Sequence, residues 1–152
     1  MKKILHMTPP DIRNGVYRYI FNHMKYINQN EYRFDFLTRN KDDLMKTSEY
    51  QEYGFKIQSF ANTERDSKDG LRREIYRILE NNYDAIHLHT SAWRGMLIEE
   101  IAMEMQIPQV IVHSHSTGVD FQSAEEREKV VKIHEEYKRE FDFRYATDVC
   151  AC

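Results

Sequence analysis

Asp84-Ala85-Ile86-His87-Leu88-His89 runs straight into Thr90-Ser91-Ala92-Trp93, and Val110-Ile111-Val112-His113-Ser114-His115 runs into Ser116-Thr117-Gly118. Each stretch is a short apolar run that ends in a His-x-His step and then in small hydroxyl residues. Short, nearly continuous apolar runs between polar loops are the pattern of strands buried on both faces of a parallel sheet. Ligands of such sheets bind in the crevice beyond the carboxyl ends of the strands. Two strand tips that carry imidazole and hydroxyl groups therefore predict the lip of a polar site.

Outward from these two runs, strand-like and helix-like stretches alternate along the whole chain. Lys3 to Met7 reads as a first strand, Arg33 to Thr38 as a second and Phe55 to Phe60 as a third. Helical spacing of Val16, Tyr19, Ile20, His23, Met24 and Ile27 predicts a helix over 15–29. A shorter helix is expected over 41–53, stopped by Gly54, and another from Leu71 to about Asn81. The His-rich strands flank a helix from Trp93 to Met105, and a highly charged helix follows from Ala124 to Phe141. Ala146 to Cys152 reads as a last strand. Strict alternation of this kind predicts an α/β fold, a parallel sheet with helices on both faces. The run also stops inside its last predicted strand, which suggests a cut domain.

The chain has 152 residues, the size of one domain, and can bury a core without disulfides or metals. A net charge of -3 gives no global signal for nucleic acid, and none is expected as a partner. The apolar start, Ile4 to Met7, is too short for a signal peptide, and no stretch approaches the ~20 apolar residues of a membrane span, so a cytoplasmic location is expected. Cys150 and Cys152 fall on one side of the last strand and are expected to be buried and reduced. No disulfide or zinc site is expected of them.

Three motifs bear on chemistry. Asn14-Gly15, between the first strand and first helix, exposes backbone N–H groups and suits a phosphate or an ordinary N-cap. It is neither a dinucleotide fingerprint nor a P-loop. His87 and His113 lie one pleat deeper than His89 and His115 and are expected to hydrogen-bond inside the sheet. No Asp, Glu or Cys lies beside them at ligand spacing, so a metal is not expected. His89 and His115 are left to meet a ligand's hydroxyls or phosphate. Glu128 and Glu136, eight apart on the charged helix, read as solvent-facing.

Taken in order, Lys3-Ile4-Leu5-His6-Met7, Asn14 to Asn22, Phe34 to Leu37, Tyr83 to His89, Val112 to Gly118 and Ala146 to Cys152 resemble a known pattern. It is that of the N-terminal half of bacterial family 4 retaining glycosyltransferases of GT-B architecture, in the capsular or exopolysaccharide branch. The resemblance implies that residues 1–152 form an N-terminal, acceptor-side, Rossmann-like domain, with the donor-binding C-terminal domain missing. It implies a nucleotide-sugar donor, UDP-linked, and a glycan or lipid-linked acceptor, with peripheral contact at the inner face of the plasma membrane. No cofactor and no metal are implied. By the same resemblance, Asn14 and Gly15 approach the donor phosphates, where Asn-Gly replaces the family's Gly-Gly. His115 is the residue at the catalytic position that hydrogen-bonds the donor sugar. His89, Thr90, Ser91, Trp93 and Ser116 line the sugar and acceptor side. Glu128 and Glu136 are not the family's second-domain glutamate motif. The chain alone is expected to be inactive. The alternative is a stand-alone, non-catalytic docking subunit that completes a partner enzyme.

Overall fold

The computed structural model describes residues 1–93, 95–115 and 123–151. Ser116, Thr117, Gly118 and Cys152, named above, lie outside the described residues. Six strands, β1 (Lys2–Met7), β2 (Tyr32–Thr38), β3 (Ile57–Ser59), β4 (Ala85–Thr90), β5 (Gln109–Ser114) and β6 (Asp148–Ala151), form one sheet. All its pairings are parallel, and the order is β3-β2-β1-β4-β5-β6. This is the doubly wound, Rossmann-like order that the alternation predicts. The helices are α1 (Gly15–Met24), α2 (Lys41–Leu44), α3 (Ser48–Tyr53), α4 (Lys68–Leu79), α5 (Leu97–Glu104) and α6 (Ala124–Glu140).

The pleat divides the strands between two cores. Leu5, Leu37, Ile86, Leu88, Val110 and Val112 face α4 and α5 and are buried with Leu71, Ile75, Leu97 and Ile101. Arg72 ties the two helices together by bonding Glu100 at 3.0 Å and Glu104 at 2.6 Å. On the opposite face Phe36 is buried with Val16, Tyr17, Ile20 and Phe21 of α1, and with Leu44 and Phe55. Between β2 and its neighbours, Asp35 is buried yet satisfied. It accepts from Lys56 N at 3.0 Å, Arg33 Nε at 2.9 Å and the Tyr83 hydroxyl at 3.2 Å.

Four expectations need correction. The helix over 41–53 is two short helices, because Thr47 serves both ends at once. Its hydroxyl donates to Leu44 O at 2.8 Å and accepts from Tyr50 N at 3.2 Å, which closes one helix and caps the next. The first helix stops at Met24 rather than Gln29: Tyr26 N and Ile27 N share the His23 carbonyl at 3.0 Å in a closing turn, and Asn28 then accepts from Asn30 N at 3.1 Å in a turn of its own. The fifth helix starts at Leu97 rather than Trp93, which leaves Trp93 in the strand-to-helix loop. Cys150 is exposed, not buried, because β6 is exposed along its whole length. Gly54 stops α3 as read, with φ +59° in the left-handed region and its N–H on Tyr50 O at 3.0 Å. Glu128 and Glu136 are exposed, as expected.

Candidate functional site

The strand order reverses direction between β1 and β4, and that switch point opens a crevice at their carboxyl ends. A cavity of about 770 Å³ occupies it. Its walls are Pro9, Pro10 and Asn14 after β1, Leu88 to Trp93 at the end of β4 and just beyond it, and Leu97 to Glu99 at the start of α5, with Glu64 from the loop before α4. A smaller cavity of about 200 Å³ lies at the other end of the sheet, beside Met1 and Tyr32. It gathers no comparable set of polar side chains.

The first wall is shaped by capping. Asn14 is extended, and its Oδ1 accepts from Val16 N at 3.0 Å, which starts α1. The first turn of α1 carries no acidic residue, so nothing on the helix itself offsets the positive end of its dipole. Above Gly15 the space is open, since a Cβ there would meet nothing within 4 Å. The loop behind this wall is held by Tyr17. Its hydroxyl is shared with Thr8 Oγ1 at 2.7 Å and Thr38 Oγ1 at 3.3 Å, and donates to Pro9 O at 3.0 Å.

The second wall carries Thr90, Ser91 and Trp93. The Trp93 ring stacks on Phe141 with centroids 4.8 Å apart, and the Trp93 backbone N–H donates to His134 Nδ1 at 3.1 Å. Trp93 is thereby clamped by the end of α6. The third wall is acidic. α5 has no side-chain cap of its own at Met96, and the Glu64 carboxylate takes that role by accepting from Leu97 N at 3.3 Å. Glu99 is buried beside it. Burial pushes its carboxyl up to about 7 and the Glu64 carboxylate adds to the rise, while its own backbone N–H and then the Trp93 side chain pull the other way.

Five imidazoles form a cluster on the α1 face of the sheet. Register puts His6 beside His87 and His89 beside His113. His6 Nδ1 and His89 Nε2 share a hydrogen bond of 3.0 Å, His89 Nδ1 and His115 Nε2 one of 2.7 Å, and His87 Nε2 and His113 Nδ1 one of 3.2 Å. Tyr19 of α1 meets His113 and His115 edge-on at 5.3 and 5.4 Å. Burial lowers the pKa of each ring: His87 falls to about 4, and His6, His89, His113 and His115 are lowered too. Neighbouring imidazoles lower them further, so the cluster is neutral at pH 7. Among the described residues three trios in this region bring their ligand atoms within 4.8 Å of one another. The expectation that no cysteine lies beside the histidines is corrected here, because β6 pairs Cys150 with His113.

Asn14, His89, Thr90, Ser91 and Trp93 all line the one cavity. His115 is joined to that group through the His89 ring, and its backbone N–H donates to Thr90 O at 2.9 Å. Ser116 lies outside the described residues. His87 and His113 bond to each other one pleat deeper, as read from the sequence. Sequence reasoning missed Glu64, Glu99, Tyr19 and the place of His6. Nothing in the sequence set Glu99 apart from Glu100 and Glu104 of the same helix.

No protein-family model matches this sequence, and no curated protein does. Among solved structures, a UGT transferase from Siraitia grosvenorii, crystallised with UDP, is similar over 76% of this chain and 28% of its own, at 8% identity and a TM-score of 0.49. An FMN-dependent NADH-azoreductase from Bacillus anthracis is similar over 99% of this chain and 85% of its own, at 13% identity and a TM-score of 0.46. The chain thus spans little more than a quarter of the transferase. The two proteins do different chemistry, and neither likeness assigns an activity.

Proposed function

We propose that this chain is the acceptor-side, N-terminal domain of a sugar transferase that draws on a nucleotide-sugar donor, UDP-linked, for capsular or exopolysaccharide synthesis. One observation carries the reading: Asn14, His89, Thr90, Ser91 and Trp93, singled out in the sequence, converge on a single cavity at the sheet's switch point. The chemistry of the walls suits a saccharide. Thr90 and Ser91 offer hydroxyls, and Trp93, already clamped, offers a rigid aromatic edge. The open approach at Gly15 and the start of α1 suit the donor's diphosphate, whose negative charge grows as it leaves. His115 is the proposed hydrogen-bond partner of the donor sugar. Most of the donor's binding is assigned to a second, C-terminal domain, and the chain alone is expected to turn nothing over. The acceptor is a glycan or a lipid-linked glycan, which would bring the enzyme to the membrane surface. Among the described residues no helix is long and apolar enough to cross a membrane.

The test begins with the native polypeptide. An antibody to this domain should detect in source cells a protein of at least about twice 18.4 kDa. That protein should release UDP from a UDP-sugar when acceptor glycan is supplied. His115→Ala should lower its turnover by about 100-fold, as loss of a transition-state hydrogen-bond donor does, with little change in melting temperature. A native band near 18.4 kDa, or an unchanged rate in the variant, would overturn the reading.

A further inference from the structure

We propose that His87, His113 and Cys150 form a binding site for a borderline-soft divalent transition metal of the zinc class. The site lies on the α1 face of the sheet, one pleat below the sugar-binding tips, and it does not depend on the sugar-transferase reading. The three ligand atoms lie within 4.8 Å of one another. A tetrahedral zinc needs donors about 3.3–3.7 Å apart, given Zn–N and Zn–S bonds of about 2.0–2.3 Å. His87 Nε2 and His113 Nδ1 already stand 3.2 Å apart, near that spacing, and a turn of each ring aims their lone pairs at an ion beside the line that joins them. Since the thiol lies no more than 4.8 Å from a ring nitrogen of each histidine, closing it onto an ion takes a side-chain movement of at most about 1 Å.

Donor chemistry selects the metal. Two imidazoles and a thiolate suit zinc, cobalt or copper, while the absence of carboxylate from the trio disfavours magnesium and calcium. The His87–His113 pair holds one proton between its facing nitrogens. Metal entry moves that proton to the far nitrogen of the same ring, so both rings stay neutral, and the Cys150 thiol releases its own proton to solvent. Cys150 is exposed, which gives the ion a path in, and three protein ligands leave a fourth position for water. Two other trios, His6–His87–His89 and His89–His113–His115, have comparable spacing. They lack the anionic ligand, and His6 is only 4% exposed, so the thiol-bearing trio is the one assigned.

The experiment is titration of the purified chain, in a Cys152→Ser background that leaves Cys150 as its single thiol, with cobalt(II) as a spectroscopic stand-in for zinc. The expected result is one cobalt per chain with a near-ultraviolet thiolate-to-cobalt charge-transfer band. Zinc should displace it and protect Cys150 from iodoacetamide. Cys150→Ser should abolish the band, and His113→Ala should weaken affinity by at least about tenfold, no less than loss of an outer-shell partner costs. Should His113→Ala fail to fold by circular dichroism, His87→Gln at its half-exposed position decides instead. No thiolate band, or a band and affinity unchanged by the histidine substitution, would overturn the proposal.

Discussion

Replacing Glu99 with Gln should stabilise the protein at alkaline pH and do little in acid. The carboxyl moves from its ordinary 4.5 to about 7 in the folded chain, chiefly because burial disfavours the charge, with the Glu64 carboxylate adding to it. For an acid whose folded pKa is raised, the native state holds the proton longer than the unfolded state. Stability is therefore complete below about pH 4.5, falls between 4.5 and 7, and is flat above. At ~1.4 kcal/mol per pH unit the whole loss is about 3 kcal/mol. The glutamine side chain fills the same volume and cannot ionise. The difference between Glu99→Gln and wild type should thus grow by about 3 kcal/mol in favour of the variant from pH 4.5 to pH 8. Urea unfolding followed by fluorescence of Trp93, the single tryptophan, measures this directly, with equal m-values as the control. A difference that stays constant with pH would refute the reasoning.

Asp35→Ala should cost about 2–3 kcal/mol in urea unfolding, toward the low end for a broken buried pair because Arg33 keeps access to water. The loss reflects the Lys56 N–H and the Tyr83 hydroxyl left without their acceptor. Gly54→Ala should cost about 1 kcal/mol, purely from holding a residue with a Cβ in the left-handed region. There is open space for the methyl, with nothing within 4 Å, so a loss much above that would contradict the conformational argument. Asn14→Ala should lower thermal stability by about 1 kcal/mol through loss of the α1 cap, while Asn14→Asp should restore it.

The strand runs were legible because a parallel strand buried on both faces must be apolar, and Ile86, Leu88, Val110 and Val112 have no other use. The paired histidines of β4 and β5 were legible as polar tips for the same reason, since they interrupt that run. Their assembly into one cluster was not legible. It requires knowing that β1 lies beside β4, which brings His6 to His87, and that β6 lies beside β5, which brings Cys150 to His113. Local periodicity contains no strand order. The break at Thr47 escaped for a related reason: its helix-forming neighbours on both sides continue the pattern, and only the hydroxyl's two bonds divide them. Exposure of Cys150 was hidden because hydrophobicity along β6 predicts burial only if something covers the strand. Asn14, Thr90, Ser91 and Trp93 were found as separate motifs, and it took the fold to show that they share a cavity.

The claim that the switch-point cavity takes a saccharide is tested most directly by titrating the chain with neutral oligosaccharides, and separately with UDP, while following Trp93 emission. The account predicts a saturable change with saccharide, weakened by Thr90→Ala and Ser91→Ala, and at most a weak response to UDP alone. Tight, saturating UDP binding with no response to any saccharide would contradict it.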